Sequence, residues 1–352
     1  MATQSYKCPS CGAGLEFKPE LQKFKCDYCY SEYTEKEIDD IYKSKESENK
    51  EEESSDKKEK GHEHLASYEC NSCGAHVVTD DTTTSTFCYY CHNPVIISDR
   101  LVGDFQPNKI IPFTVDKKAA QDKFLTWAKK KKFVPRGFTD DSQLEKITGI
   151  YLPYWWADCE VDVDYIGEAR TVRVWRAGDR EYTETKKYQL TRKGQIDINN
   201  VSELAFTKID EILLNGIGPY NEKEAISFSM PYLSGFFAEQ YDVNKEKIAP
   251  KIEEQVNRYA GYLRSETISG FNFVRDIKNN VNIHCKEWNY TLLPAWVLTY
   301  LYNGKTYVYA VNGQTGKSFG ELPISQKKVF NASMIVFGIT FLLALIGGAL
   351  IW

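Results

Sequence analysis

The sequence has little of what marks an enzyme or a nucleic-acid-binding protein. Its net charge is −5, from 44 basic and 49 acidic residues, so the chain as a whole does not attract phosphate polyanions. Residues 215–219 (NGIGP) have neither the spacing nor the lysine of a phosphate-binding loop, and no serine nucleophile elbow is present. We therefore expect a protein that is not an enzyme.

An apolar run is absent from the beginning of the sequence. The first ten residues, MATQSYKCPS, contain no stretch that could act as a signal peptide, so we expect the N-terminal part to stay in the cytoplasm. Charge is absent instead from residues 332–352, ASMIVFGITFLLALIGGALIW. At about 1.5 Å per residue, a helix of this length spans about 30 Å, the thickness of a bilayer's hydrocarbon core. We predict a single transmembrane helix over 332–352.

The residues that flank this helix indicate its orientation. Lys327 and Lys328 lie in a juxtamembrane segment, 325–331, and lysines favour the cytoplasmic side. The sequence thus predicts a tail-anchored, single-pass protein of the cell membrane with residues 1–331 in the cytoplasm. The alternative, a helix buried in a soluble domain, would normally show a polar face. Ala344 and Gly348 have the spacing that lets a helix pack closely against a second membrane protein, although they could equally face lipid.

Eight of the ten cysteines fall into four CxxC pairs, and the second two pairs repeat the spacing of the first two. The predicted ligands are Cys8, Cys11, Cys26, Cys29, Cys70, Cys73, Cys88 and Cys91. Four thiolates complete the tetrahedral coordination of Zn²⁺, so we predict two structural zinc sites with no open position for a catalytic water. His76 and His92 lie beside the second set and are interpreted as bystanders. A cytoplasmic location also favours metal ligands over disulfides.

The chain divides at changes of composition. We predict a first zinc ribbon at 1–34, a charged linker at 35–66 and a second zinc ribbon at 67–104. Such small β units fold only with their metal. The loop TDDTTTST of the second ribbon carries two aspartates and no basic residue, which favours a protein partner over nucleic acid.

Residues 105–324 are predicted to form an α+β domain with antiparallel sheets. One helix covers 116–131, with Ala120, Phe124 and Trp127 on one face, and another follows Pro250. The apolar face of that second helix comprises Ile252, Val256, Tyr259 and Leu263. Each helix precedes a Leu-Pro-x-Trp phrase and an alternating strand, at 152–155 and 293–296, and residues 180–192 add a strand. We therefore predict two weakly related halves.

Four carboxylates alternate along one predicted strand. Asp158, Glu160, Asp162 and Asp164 could form a metal site or an acid/base pair, and this would be the basis of an enzyme. A half-buried strand needs the same alternation, and we expect arginines 170, 173 and 176 on the following strand to pair with the acids. Cys159 and Cys285 are interpreted as buried apolar side chains, because His284 and Cys285 point to opposite faces of a strand.

Residues 129–132 are four consecutive lysines at the end of the first helix. The helix dipole favours lysines at a C-terminus, so a solvated helix end is the first interpretation. Contact with anionic lipid or with nucleic acid is the alternative.

Several motifs together resemble one family. They are CPSCG and CDYC, KIIPF at 109–113, YLPYWWAD at 151–158, YLSGFFAEQYDV at 232–243, LLPAWVL at 292–298, NGQTGKSFGELP at 312–323 and the terminal apolar run. The chain resembles the YdjG-type membrane proteins of Gram-positive bacteria, a TFIIB-type zinc-ribbon family whose members are often labelled primosomal or helicase-like. No helicase phosphate loop is present here. Residue by residue, only the eight cysteines carry over.

The resemblance implies adaptor work at the cytoplasmic membrane, together with SPFH (flotillin-like) and phage-shock-type envelope-stress proteins. We expect a membrane-anchored cytoplasmic scaffold that binds partner proteins and holds them at the membrane during envelope stress. The alternative is a membrane-tethered nucleic-acid-binding zinc-ribbon protein.

Overall fold

The computed structural model describes residues 3–48 and 65–351. Helices within these ranges are α1 (Glu35–Glu48), α2 (Lys117–Lys129), α3 (Asp141–Leu144), α4 (Glu211–Ile217), α5 (Lys245–Glu266) and α6 (Gln326–Ile351). The strands are β1 (Glu16–Lys18), β2 (Lys23–Lys25), β3 (Glu32–Tyr33), β4 (Leu65–Glu69), β5 (His76–Asp80), β6 (Thr83–Phe87), β7 (Pro94–Ile96), β8 (Lys109–Ile110), β9 (Thr148–Ala177), β10 (Arg180–Leu204), β11 (Ile226–Ser227), β12 (Phe237–Glu239), β13 (Phe273–Tyr302), β14 (Lys305–Asn312) and β15 (Ser318–Gly320).

One large sheet dominates the molecule. It has ten strands with the path β11-β8-β13-β9-β12-β6-β7, to which β10 adds beside β9, and β14 and β15 add beside β13. Its centre is the antiparallel pair β9 and β13, each 30 residues long. Two smaller sheets, β1-β2-β3 and β4-β5, belong to the N-terminal cysteine-rich segments. The predicted sheet-rich α+β architecture is confirmed.

The two predicted halves have the same order of elements. The first half runs β8, α2, β9, β10, and the second runs β12, α5, β13, β14. Each half gives its short first strand to the other, because β8 pairs in parallel with β13 and β12 pairs in parallel with β9. The two Leu-Pro-x-Trp phrases meet at the centre, where Leu152 lies opposite Leu293. The halves are therefore interleaved in one sheet rather than stacked as two units.

A tryptophan of each half fixes the helix of the other half. The indole Nε1 of Trp155 donates to the carbonyl of Val243 at 3.1 Å, and Nε1 of Trp296 donates to that of Val115 at 2.8 Å. The residues that follow these carbonyls, Asn244 and Asp116, cap α5 and α2 through their side chains. Both indoles are buried, so each bond satisfies a donor that is shielded from water.

Helix α5 differs from its predicted position. It begins at Lys245, so Pro250 lies inside the helix rather than at its start. Buried side chains recur every four residues, at Ile248, Ile252, Val256 and Ala260. Tyr259 and Leu263, predicted to face the core, are 46% and 44% exposed. A spacing of four residues exceeds the helical turn of about 3.6 residues, so the buried stripe drifts around the helix towards its C-terminal end and leaves those two side chains at its margin.

The predicted linker and the predicted second ribbon are not separate structural units. Residues 35–48 of the predicted linker form α1, whose Ile38 is fully buried, while residues 49–64 lie outside the described ranges. In the second cysteine-rich segment, β6 pairs with β12 of the large sheet. The boundary predicted at 104 therefore does not separate two sheets.

We predict that Trp155→Phe and Trp296→Phe each lower the free energy of unfolding by about 1 kcal/mol, because each removes one hydrogen bond of a buried indole. Urea denaturation of the detergent-solubilised protein, followed by circular dichroism, measures the change. The matched control is Trp175→Phe, at a 43% exposed indole, which should shift stability by less than about 0.5 kcal/mol. Equal effects at all three positions would contradict the reciprocal role of the two buried indoles.

Candidate metal centres

The four CxxC turns share one backbone geometry. In each turn, the amide of the residue after the second cysteine donates to the carbonyl of the first cysteine. The bonds are Gly12 to Cys8 at 2.8 Å, Tyr30 to Cys26 at 2.9 Å, Gly74 to Cys70 at 2.7 Å and His92 to Cys88 at 2.9 Å. All four donor residues have positive φ, between 57° and 78°. A glycine adopts this conformation without strain, which explains the CxxCG sequence of the first turn in each set.

These turns gather the eight predicted cysteines into two groups of four. Across the first group, Sγ of Cys8 lies 3.5 Å from that of Cys29, and Cys11 lies 3.5 Å from Cys26. In the second group, the Cys70–Cys91 and Cys73–Cys88 separations are 3.8 and 3.7 Å. A tetrahedron with Zn–S bonds of about 2.3 Å has sulfur separations of about 3.8 Å. The geometry is consistent with two zinc sites, and each group contains four cysteines and no histidine.

The local electrostatics favour thiolate at one ligand of the first group. The hydroxyl of Ser31 lies 3.3 Å from Sγ of Cys29, and hydrogen bonds from the Ser31 side chain and backbone lower the pKa of Cys29 to about 6. Thiolate is the form that binds Zn²⁺.

Exposed tyrosines surround the second turn of each group. Tyr28 and Tyr30 are 80% and 72% exposed, and Tyr89 and Tyr90 are 70% and 72% exposed. Tyr28 and Tyr90 occupy the same place, directly before the last cysteine of their group. These exposed rings were not predicted from the sequence, although the segments CDYCY and CYYC contain them. Each metal site thus carries aromatic rings on its solvent side.

Both ribbons pack against one segment, residues 230–239. The rings of Phe17 and Phe24 in the first ribbon lie 5.0 and 5.7 Å from the ring of Tyr232. The hydroxyl of Ser85 in the second ribbon donates to the carbonyl of Phe236 at 2.8 Å. The first segment also pairs with the second through backbone bonds between Gln4 and Ile96. The two metal groups are therefore fixed relative to each other and to the large sheet.

The C-terminal helix stands apart from this packed structure. It begins at Gln326, earlier than the predicted 332, so the predicted juxtamembrane segment is mostly helical. The stretch Gln326–Ala344 is long and apolar enough to cross a membrane, and none of it is buried against the rest of the chain. Trp352 lies outside the described part of the chain and the surroundings of Gly348 are not described, so the predicted packing pair stays a prediction.

One comparison with known proteins places the chain in a family. No family model matches, and no solved structure matches. The chain is 34% identical over 340 residues to the uncharacterized protein YdjG of Bacillus subtilis (strain 168), and the match covers 96% of this chain and 95% of that protein. The chain belongs to the YdjG family. The match covers nearly the whole chain, and the name YdjG states no activity.

In this relative of YdjG, acidic residues of β9 form ion pairs along the strand and are not gathered into one site. Strand β9 runs unbroken through Ala177, so the three arginines lie on the same strand as the acids, and the predicted pairing is wrong. Arg170 binds Glu168, 2.6 Å away, and Arg176 binds Glu181. Lysines of β13 reach the acids instead, with Lys278 on Asp164 and Lys286 on Glu160. Sequence alternation could not reveal this register.

Cys159 and Cys285 correct a second expectation. They were interpreted as separate buried side chains, but they lie opposite each other on β9 and β13 and form a disulfide. Their sequence separation of 126 residues concealed the contact. The neighbouring His284 lies on the other face, opposite Glu160, as strand alternation predicts.

We predict that Cys11→Ser reduces the bound zinc of the purified full-length protein from two ions per chain to one, since a tetrahedral site loses one of its four thiolates. Elemental analysis of protein prepared without chelators measures the stoichiometry. Cys285→Ser is the matched control and should retain both ions. Two ions in the Cys11→Ser protein, or none in the unmodified protein, would contradict the assignment.

Proposed function

We propose that this protein is a membrane-anchored cytoplasmic scaffold whose metal-bound ribbons bind partner proteins and hold them at the membrane. The observation that carries the proposal is the set of exposed tyrosines around both metal groups. Tyr28 and Tyr90, at equivalent places, present most of their ring surface to solvent. An aromatic side chain exposed in this way on both copies of a duplicated unit supports a binding role for each copy.

The chemistry of tyrosine suits protein recognition. Tyrosine, tryptophan and arginine are enriched among the residues that contribute most to protein interfaces, because a large ring and a polar tip can be buried together. A tyrosine side chain has only two χ angles, so it loses little conformational entropy when a partner binds. The backbone of Tyr30 is held within a CxxC turn by its amide, which donates to the carbonyl of Cys26 at 2.9 Å. The metal would thus preorganise the surface while all four of its coordination positions are filled by sulfur.

The charges of the ribbons support a protein partner over nucleic acid. Lys18 lies 3.0 Å from both Glu16 and Asp27, and Lys23 lies 3.3 Å from Glu32. Lysines paired in this way offer less to a phosphate backbone, whose binding depends on free cations that displace counterions. In the second ribbon, the carboxylate of Asp80 lies 3.5 Å from Lys208 of the following domain. The nucleic-acid-binding alternative therefore has weaker support.

Helix α6 supplies the attachment in this proposal. Its apolar side chains are exposed from Met334 through Leu343, which in water would be a large unfavourable surface. Insertion into a bilayer removes that surface from water, and Lys327 and Lys328 favour a cytoplasmic location for the ribbons. SPFH-type and phage-shock-type proteins, and a role in envelope stress, stay predictions from the family resemblance.

We predict that deletion of residues 329–352 transfers the protein from the membrane fraction to the soluble fraction. The full-length chain should resist alkaline carbonate extraction, because its helix lies in the hydrocarbon core. Fractionation of cells followed by immunoblotting measures both. A full-length protein that is soluble without detergent would contradict the anchor.

We predict that replacing Tyr28, Tyr30, Tyr89 and Tyr90 by alanine reduces recovery of partner proteins by about tenfold or more, the effect of losing about 1.4 kcal/mol at an interface. Affinity purification of the full-length protein from detergent-solubilised membranes, followed by mass spectrometry, measures the recovery.

The control for this experiment is Tyr262→Ala, at a tyrosine that is 70% exposed on α5, away from the metal groups. It should leave the recovered partners unchanged. Equal recovery with all variants would remove the support for the ribbon surface, and retention of DNA or RNA that falls with salt would favour the nucleic-acid alternative.

A further inference from the structure

The segment after α2 is joined to the beginning of α6. The backbone amide of Ser325 donates to the carbonyl of Phe133 at 2.8 Å, and Nζ of Lys328 donates to the carbonyl of Val134 at 2.6 Å. The hydroxyl of Ser325 also accepts a bond from the amide of Lys328 in the first turn of α6. The domain surface around residues 130–134 is therefore held at the point where the apolar helix leaves the domain.

This place carries concentrated positive charge in a chain whose net charge is −5. Lys130, Lys131 and Lys132 are exposed, and so is Lys327 on α6. Among the ion pairs of the described ranges, none involves any of these four ammonium groups. The nearby carboxylate of Glu321 is already paired with Lys305 at 3.0 Å. The charge of the four lysines is thus available to a ligand.

Apolar side chains accompany these lysines. Phe133 is 40% exposed, Ile324 is 61% exposed, and Phe330 on the first turns of α6 is 64% exposed. Lys130, Lys131 and Lys132 line a cleft of about 420 Å³ together with Phe133, Val134, Leu322, Pro323 and Ile324. This combination suits the boundary between lipid headgroups and acyl chains. There a lysine can place its ammonium group among the headgroups, while its methylene chain and the neighbouring apolar side chains contact the acyl region.

We propose that Lys130, Lys131, Lys132, Phe133, Ile324 and Lys327, here termed the lysine collar, form a binding surface for anionic phospholipid headgroups. The proposal rests on the membrane anchoring proposed above, because α6 sets the depth of the collar. If α6 enters the bilayer near Gln326, the lysines lie at headgroup level and the apolar side chains reach the interface. The partner is the surface of the same bilayer.

The collar would determine how the domain stands on the membrane. A single helix alone leaves the attached domain free to tilt, whereas headgroups bound beside the helix add a second contact. The end of the large sheet that contains Thr148 and Tyr300 would then face the membrane. Phe138, five residues after Phe133 of the collar, links the two, because its ring lies 4.9 Å from that of Tyr300. Lys187, opposite Arg170 on β9, lies about 70 Å along the strands from that end.

The test uses the full-length protein in nanodiscs of phosphatidylcholine, with and without phosphatidylglycerol. Lysine acetylation by a soluble reagent is followed by mass spectrometry. We expect Lys130, Lys131 and Lys132 to react severalfold more slowly when phosphatidylglycerol is present, while Lys187 reacts equally in both. Equal rates at the three collar lysines would overturn the proposal.

A third arm adds inorganic phosphate to the phosphatidylcholine nanodiscs. We expect no protection there, because the surface binds headgroups that the bilayer presents at a fixed depth. Protection by free phosphate equal to that by phosphatidylglycerol would assign the collar to a soluble anion and overturn the lipid proposal.

The variant with Lys130→Glu, Lys131→Glu and Lys132→Glu should lose the enrichment of phosphatidylglycerol that co-purifies with the wild-type protein from mixed membranes. The control is Lys186→Glu with Lys187→Glu, a charge reversal on β10 far from the collar, which should retain it. Both variants should still insert, since α6 is unchanged. Failure of the wild-type protein to enter nanodiscs at all would refute the anchor, whereas insertion without lipid preference would refute the collar alone.

Discussion

The reciprocal tryptophan bonds are the constraint on which the arrangement depends. Trp155 and Trp296 each hold the chain just before the helix of the other half, so neither half can place its helix independently. The exchange of β8 and β12 between the halves also makes each half depend on the other for its packing. The large sheet is therefore one cooperative unit, and the elements that matter for function are attached to it.

Three elements, the two ribbons and α6, are attached to the large sheet. Both ribbons pack on residues 230–239, directly before and within β12, so the Trp155 bond near Val243 also stabilises the region that seats them. Helix α6 leaves the frame beside the end of α2. The exposed tyrosines beside the two cysteine groups and the apolar helix are thus attached to the same sheet, an arrangement that would suit a scaffold that holds a bound partner near a membrane.

Local signals predicted what local physics determines. The four CxxC turns needed only the sequence, because hydrogen bonds between near neighbours such as Gly12 and Cys8 form each one. Composition alone predicted α6, and apolar periodicity predicted α2. Long-range register was beyond this reasoning. The contacts of Cys159 with Cys285 and of Lys278 with Asp164 could not be predicted from neighbouring residues, because both depend on the register of two 30-residue strands. The beginning of α5 was missed because Pro250 was taken as its first turn, although Asn244 supplies a cap six residues earlier.

The central claim is that metal-bound ribbons contact other proteins while α6 holds the chain at the membrane. The most direct measurement is photo-crosslinking in intact cells, with a photoreactive phenylalanine analogue in place of Tyr90 and, for comparison, of Tyr182 at the far end of the large sheet. The account predicts discrete protein adducts from position 90 in the membrane fraction, absent when the Cys88 thiolate is replaced by serine, and none from position 182. Identical adducts from both positions, or adducts only with nucleic acid, would contradict it.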